Sequence, residues 1–381
     1  MKIAVVSSTV FSVPLKGYGG LEAIAWEIAR GLAAKGHQVS LVTPDGSECP
    51  GVEIIPTGPP GQHDEKMAYG GYPEHKEGDV VRRRGHAGYW QHLVGVYAVI
   101  DHSWQKNAYL RKEEGVLKVP VLGVMHAPVN TMYGRTPPVE KPCTVCISKD
   151  QADHYNALFS SGEARVAYNG IDLDFYKPMG ITRSRRFLFL ARFSTIKGPD
   201  LAIEACRAAG VGLDLIGDTS ITNEPQFLDQ CKNMAVLANA EGRMSSWQFS
   251  DQVRMVGPAK RGECVWWYSQ AHCMLHPNMR FREPFGLAPI EAMACGCPVI
   301  AWDYGAMRET VKHSYTGSLV KSMKELIERI RYCSFTDPIF GNKQVEVWRK
   351  SCREWASQFS IQRMVSRYEE LCVEAVDTGG W

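Results

Sequence analysis

The sequence predicts an α/β protein of two doubly wound domains, each an open parallel sheet with helices on both faces. Three observations predict it. Apolar strand-like runs alternate with helix-like segments, the pattern of successive β-α-β units joined by short loops. The rhythm runs twice, with a Lys177-Pro178 step and a run of Arg between the two series at 175–185. The 381 residues are enough for two domains of ordinary size, each with its own core.

In the first series Ile3–Val6 reads as a strand and Leu21–Lys35 as a helix. Leu21, Ile24, Ala25, Ile28, Ala29 and Leu32 give that helix one apolar face, and Gly36 ends it. Val39–Thr43 and Val52–Pro56 are the next strands. The rhythm breaks over 58–88, a stretch rich in Gly, Pro, His and charge that reads as an inserted loop system. It resumes at Val94–Asp101, Val119–Met125 and Thr144–Ser148. The second series has strands at Arg186–Leu190, Leu213–Gly217, Val253–Val256, Cys273–His276 and Pro298–Trp302, with helices at Leu201–Ala209 and Pro289–Cys295. A final helix over 361–376 carries Ile361, Met364, Val365, Tyr368, Leu371 and Cys372 on one face. Two such sheets in one chain imply a ligand beyond the carboxyl ends of their strands, in a central cleft that the two domains face.

Composition excludes some classes. With 43 basic against 41 acidic residues the net charge is +2, too balanced for an obligate nucleic-acid coat. Arg82-Arg83-Arg84 is the one tight basic cluster, a solvated loop in the plain reading and a contact for a phosphate-bearing lipid or nucleic-acid acceptor in the sharper one. No apolar run reaches the roughly 18 residues of a transmembrane helix and no signal peptide is visible, so a cytoplasmic location is expected. The twelve cysteines are scattered and read as reduced, buried thiols. Cys143-x2-Cys146 lacks the second pair that a zinc ribbon needs, and Asp172-Leu173-Asp174 follows Asn169-Gly170 as a turn, so no metal is expected.

The strongest local signal is the string from Arg282 to Ala301. Glu283 precedes a helix that carries Glu291 among Ile290, Ala292 and Met293. A carboxylate in such apolar surroundings needs a polar partner, and vicinal ribose hydroxyls supply two hydrogen bonds. Between the acids lie Phe285, Gly286 and Leu287, where glycine permits close backbone approach and helix-start N–H groups face an anion or a sugar oxygen. Arg192 and Lys197 follow the first strand of the second series, two cations on a strand-to-helix loop suited to a diphosphate. In the first half, Gly19 and Gly20 open a helix whose dipole favours an anion. His126 lies just past a strand, and His102, after Asp101, is a second candidate at the same strand edge.

Glu283 to Glu291 resembles the E-x7-E signature of retaining family 4 glycosyltransferases of the GT-B fold, and the likeness extends over nearly the whole chain. It implies an acceptor-side domain over 1–176, a donor-binding domain over 177–357, and a C-terminal helix over about 358–381 that crosses back to the first domain. It assigns Glu283 to hydroxyls of the transferred hexose, Glu291 to the ribose, and Arg192 and Lys197 to the diphosphate. Pro258 falls near the nucleobase, Gly19 and Gly20 reach the donor phosphates, and His126 approaches the transferred sugar. Gly217-Asp218-Thr219 departs from the family's Gly-Asp-Gly, and Ala306 from its paired glycines before Glu309. The implied reaction is metal-independent, retaining hexosyl transfer from a nucleoside-diphosphate sugar, a co-substrate rather than a cofactor, to an unidentified hydroxyl acceptor. A nucleotide-sugar epimerase and a catalytically silent sugar-nucleotide-binding protein are the alternatives.

Overall fold

A computed structural model describes residues 1–15, 19–60, 92–93, 95–103, 108, 112, 115, 117–129, 143–159, 163–219, 224–242, 253–334 and 343–381. Arg82, Arg83 and Arg84, with most of the expected 58–88 loop system, lie outside the described residues. The chain divides into two compact units, Met1–Gly170 with Ile361–Trp381, and Ile171–Ser360.

The first unit is built on strands β1 (Lys2–Val6), β2 (Gln38–Thr43), β3 (Glu53–Pro56), β4 (Ala98–Asp101), β5 (Val121–Met125), β6 (Thr144–Cys146) and β7 (Arg165–Val166), with helices α1 (Gly20–Ala34) and α2 (Lys149–Leu158). The sheet order is β3-β2-β1-β4-β5-β6-β7. The strands pair in parallel, for example Val6 opposite Val42 on one side and Asp101 on the other. Central strands such as VLGVM in β5 are buried throughout, as expected where helices cover both faces of a parallel sheet. Ser148 caps α2 by accepting from the Gln151 N–H, which ends β6 cleanly and starts the helix within three residues.

The second unit has strands β8 (Phe187–Leu190), β9 (Leu213–Ile216), β10 (Val253–Gly257), β11 (Met274–His276), β12 (Val299–Trp302) and β13 (Gly317–Val320). Its helices are α3 (Pro199–Ala209), α4 (Pro225–Gly242), α5 (Arg261–Gln270), α6 (Leu287–Ala294), α7 (Met307–Thr310), α8 (Met323–Ser334) and α9 (Lys343–Ala356). The order β10-β9-β8-β11-β12-β13 repeats the winding of the first sheet. Phe187, Phe189, Leu213, Leu215, Leu275, Ile300 and Trp348 fill its core. Arg353 fastens the start of this unit: Nη1 donates to the carbonyls of Tyr176 (2.9 Å) and Ala294 (3.0 Å), and Nη2 to that of Leu173 (3.0 Å). Asp172 Oδ1 accepts from the N–H groups of Asp174 and Phe175, a turn in which the carboxylate serves the backbone.

The last helix, α10 (Ile361–Thr378), returns to the first unit. Its buried residues, Ile361, Met364, Val365, Tyr368, Leu371, Cys372 and Ala375, keep the three- and four-residue spacing of one face. It lies so close to α1 that a Cβ at Gly31 would meet Val365 Cγ2 at 2.4 Å. Glu369 accepts from Lys35 Nζ and from His37 Nε2 (2.7 Å), and Arg367 Nε donates to the Val166 carbonyl at 3.0 Å.

All twelve cysteines are free thiols, eleven of them buried and Cys264 half-buried. Burial pushes the Cys297 thiol up to about 11, which keeps it protonated and unreactive. No described helix is long and apolar enough to cross a membrane.

Candidate functional site

In a doubly wound sheet the strand order reverses beside the first strand, and the loops leaving the two strands there diverge to leave a crevice. In the second unit those strands are β8 and β11. The β8–α3 loop carries Arg192 and Lys197, and the β11–α6 loop carries Glu283. Topology alone therefore explains why residues 86 positions apart meet: Lys197 Nζ donates to Glu283 Oε2 at 2.5 Å.

Glu283 is buried and strongly engaged. Asn278 Nδ2 donates to the same Oε2 at 3.2 Å, and His276 Nε2 stands 3.7 Å from it. Burial pushes the carboxyl upward, but the Lys197 ammonium and the His276 contact outweigh it and hold the group well below the usual carboxylate range. The backbone is fixed as well. Glu283 O accepts from the Ala306 N–H at 3.0 Å, and a Cβ at Gly305 would meet Glu283 O at 2.8 Å. Only glycine fits at 305, and the N–H of Ala306 ties this turn to the Glu283 backbone.

Two further contacts shape the loops. Arg280 donates to both oxygens of Asp200, at 2.9 and 2.7 Å, and to the Thr195 carbonyl at 3.1 Å, so the β11–α6 loop grips the loop of Lys197 and the first turn of α3. Gly198, in a left-handed conformation, brings its Cα close to the Pro277 carbonyl: an added Cβ would lie 3.0 Å from that oxygen. Lys197 Nζ also lies 5.4 Å from the Phe281 ring centroid.

Glu291 occupies the second turn of α6 and is half-buried. Tyr268 Oη on α5 donates to its Oε2 at 3.0 Å. Burial raises its pKa above the usual carboxylate value; hydrogen bonds from Tyr176 and Tyr268, with the Arg261 charge, offset only part of that. Burial lifts the Tyr268 hydroxyl well above its ordinary range, so it remains a donor. Glu291 thus rests on two tyrosines, while Glu283 rests on a lysine: two acids with opposite shifts on one short segment.

Gly286 caps α6 with φ 85°, a conformation that favours glycine. Leu287 is half-buried at the first helical position. The Phe285 side chain is buried in an edge contact with Phe359, centroids 5.7 Å apart, so what it offers a ligand is its backbone. Arg192 is half-buried at the end of β8, and Pro258 is exposed just beyond β10, two strands away from β8. The β9 turn is tight: a Cβ on Gly217 would fall 1.9 Å from the Ala191 carbonyl oxygen, which ties the Gly217-Asp218 step to the strand that leads to Arg192.

In the first unit the reversal lies between β1 and β4. Gly19 (φ 147°) caps α1, and Gly20 is its first residue. Glu22, in the first turn of α1, is buried and accepts from the Ser8 hydroxyl. His102, directly after β4, pairs through Nδ1 with His126 Nε2 at 2.7 Å. The His126 loop is tied down by Gln151, whose Nε2 donates to the Ala127 carbonyl at 2.7 Å while its Oε1 accepts from the Ile147 N–H.

Sequence reasoning singled out Glu283, Glu291, Arg192, Lys197 and His126, but not Asn278, His276, Tyr268, Gln151 or the Arg280–Asp200 pair. His276 and Asn278 had a usable signal, since His276-Pro277-Asn278 leaves the carboxyl end of the strand next to β8.

Two windings of the 3-2-1-4-5-6 type in one chain are the GT-B architecture. Sucrose-phosphate synthase from Thermosynechococcus elongatus superposes with a TM-score of 0.75 at 20% identity over 99% of each chain. Anabaena Alr3699/HepE, solved in complex with UDP and glucose, superposes with a TM-score of 0.72 at 17% identity over 97% of this chain and 98% of its own. Among curated proteins, a D-inositol 3-phosphate glycosyltransferase of Catenulispora acidiphila is 27% identical over 356 residues, 80% of this chain and 79% of that protein. The family models for Glycosyltransferase Family 4 and Glycosyl transferases group 1 match residues 18–175 and 177–337, and the chain belongs to the family 4 glycosyltransferases.

Proposed function

We propose that this protein transfers a hexose from a nucleoside-diphosphate sugar to a hydroxyl acceptor with retention of anomeric configuration and without a metal ion. The observation that carries the reading is the Glu283 carboxylate, buried, ionised and held at the reversal of the second sheet by Lys197. A fixed acceptor of that kind suits sugar hydroxyls. Support for the donor comes from UDP and glucose bound to Alr3699/HepE, a protein of like fold.

In this reading Glu291 takes the ribose hydroxyls and Pro258 lies by the nucleobase. Arg192 and Lys197 stabilise charge on the departing diphosphate, together with backbone N–H groups at Phe285, Gly286 and Leu287 at the α6 start. Glu283 orients the hexose. Gly19 and Gly20 serve the donor phosphates, and His126 the transferred sugar. The bond that breaks joins the anomeric carbon to the β-phosphate oxygen. The bond that forms joins that carbon to the acceptor oxygen, on the same face, and the acceptor's proton passes to the leaving phosphate oxygen. The test is proton NMR of the product formed from an α-linked donor in EDTA-treated buffer, with sugar and cyclitol-phosphate acceptors in the panel. An α-linked product is expected. A β-linked product, or loss of activity restored only by a divalent metal, contradicts the reading.

A further inference from the structure

Three nitrogens converge on one oxygen of Glu283. Lys197 Nζ lies at 2.5 Å, Asn278 Nδ2 at 3.2 Å and His276 Nε2 at 3.7 Å from Oε2. His276 is buried, and its Nε2 makes no hydrogen bond within 3.5 Å to any described group. A buried polar nitrogen without a partner is costly, and here the Glu283 carboxylate stands just beyond bonding distance. The function proposed above, on which this inference rests, also asks Lys197 to serve a diphosphate. One ammonium cannot give its full strength to both: phosphate oxygens that draw Lys197 loosen its hold on Oε2.

We propose that His276 is a positioning residue, donating from Nε2 to Glu283 Oε2 so that the carboxylate keeps its place, and its Oε1 remains directed to the sugar, while Lys197 serves the diphosphate. The shift needed is small, since closing from 3.7 Å to an ordinary 2.9 Å is under about 1 Å. Asn278 donates to the same oxygen at 3.2 Å and stays in place when Lys197 turns to the diphosphate. His276 acts on the hexose only through Glu283 and touches no part of the nucleotide.

The experiment uses whichever of UDP-, GDP- and ADP-glucose raises the melting temperature most, with its nucleoside diphosphate as control. His276→Gln keeps a donor at nearly the Nε2 position, while His276→Met removes it at similar volume. Steady-state hydrolysis or transfer of the nucleotide sugar should fall about 10- to 100-fold in kcat/KM for the Met variant, the loss that corresponds to one hydrogen bond to a charged group. The Gln variant should recover most of it, and nucleoside diphosphate affinity should stay within about twofold. In a Glu283→Ala background the Met change should add nothing further, because both oxygens of the carboxylate have gone. A wild-type-like Met variant beside an inactive Glu283→Ala, or losses that simply add, overturns the role of His276 and leaves the donor-site reading standing. Normal activity of Glu283→Ala, or no binding of any nucleotide sugar, overturns both. If the Met variant does not fold, the nitrogen-15 shift of His276 in wild-type protein with donor decides: a proton on Nε2 is expected, and a bare Nε2 contradicts the role.

Discussion

Glu283 and Glu291 sit eight positions apart, yet their surroundings drive them in opposite directions. For Glu291 the folded carboxyl titrates above the unfolded value of about 4.3. Its contribution to stability is therefore present below that pH and is lost as pH rises through the folded value. Glu291→Gln should accordingly be more stable than wild type at pH 7, and the difference should shrink in urea titrations near pH 4. A Gln variant with no advantage at pH 7 would mean that the two tyrosines fully compensate the buried charge. Arg192→Ala should lower kcat by about 10²- to 10³-fold, the usual loss on removing a group that stabilises transition-state charge, with a far smaller change in urea midpoint. Near-normal turnover at saturating donor would remove Arg192 from the mechanism. The acids and cations of the site were legible in the sequence because each stands in a short local string. The Lys197–Glu283 bond was not, because it joins residues that only strand order brings together.

At the scale of elements, the C-terminal helix was readable from its apolar spacing, and its packing rests on Gly31 of α1. Glycine inside a helix normally costs up to about 1 kcal/mol relative to alanine. Here a Cβ would strike the stiff, β-branched Val365 at 2.4 Å. Overpacking costs typically about 1–3 kcal/mol and outweighs the helix gain. Gly31→Ala should therefore destabilise the protein, and Val365→Ala in the same chain should relieve the clash, giving strong non-additivity in thermal unfolding. A stabilising Gly31→Ala would show that α1 and α10 separate at little cost. Helices α2, α4, α5, α7, α8 and α9 were not anticipated, although α8 and α9 are clearly amphipathic. Lys, Arg and Glu crowd their outer faces, so neither helix contains a continuous apolar run.

For the whole molecule, the alternation of strand and helix was enough to predict two parallel sheets, since crossover helices leave few other solutions. It did not give strand order, and strand order builds the site: the reversals beside β1 and β8 decide which loops meet. Under the proposed function the second unit's reversal is a nucleotide-sugar site with divided labour, Glu291 for the nucleotide and Glu283 for the sugar. The most direct test is calorimetric titration of wild type, Glu291→Ala and Glu283→Gln with a nucleotide sugar and with its nucleoside diphosphate. Glu291→Ala should weaken both ligands by about 1–3 kcal/mol, the loss typical of a charged hydrogen-bonding group, while Glu283→Gln weakens only the nucleotide sugar. Equal effects of the two variants on both ligands, or none, would contradict it.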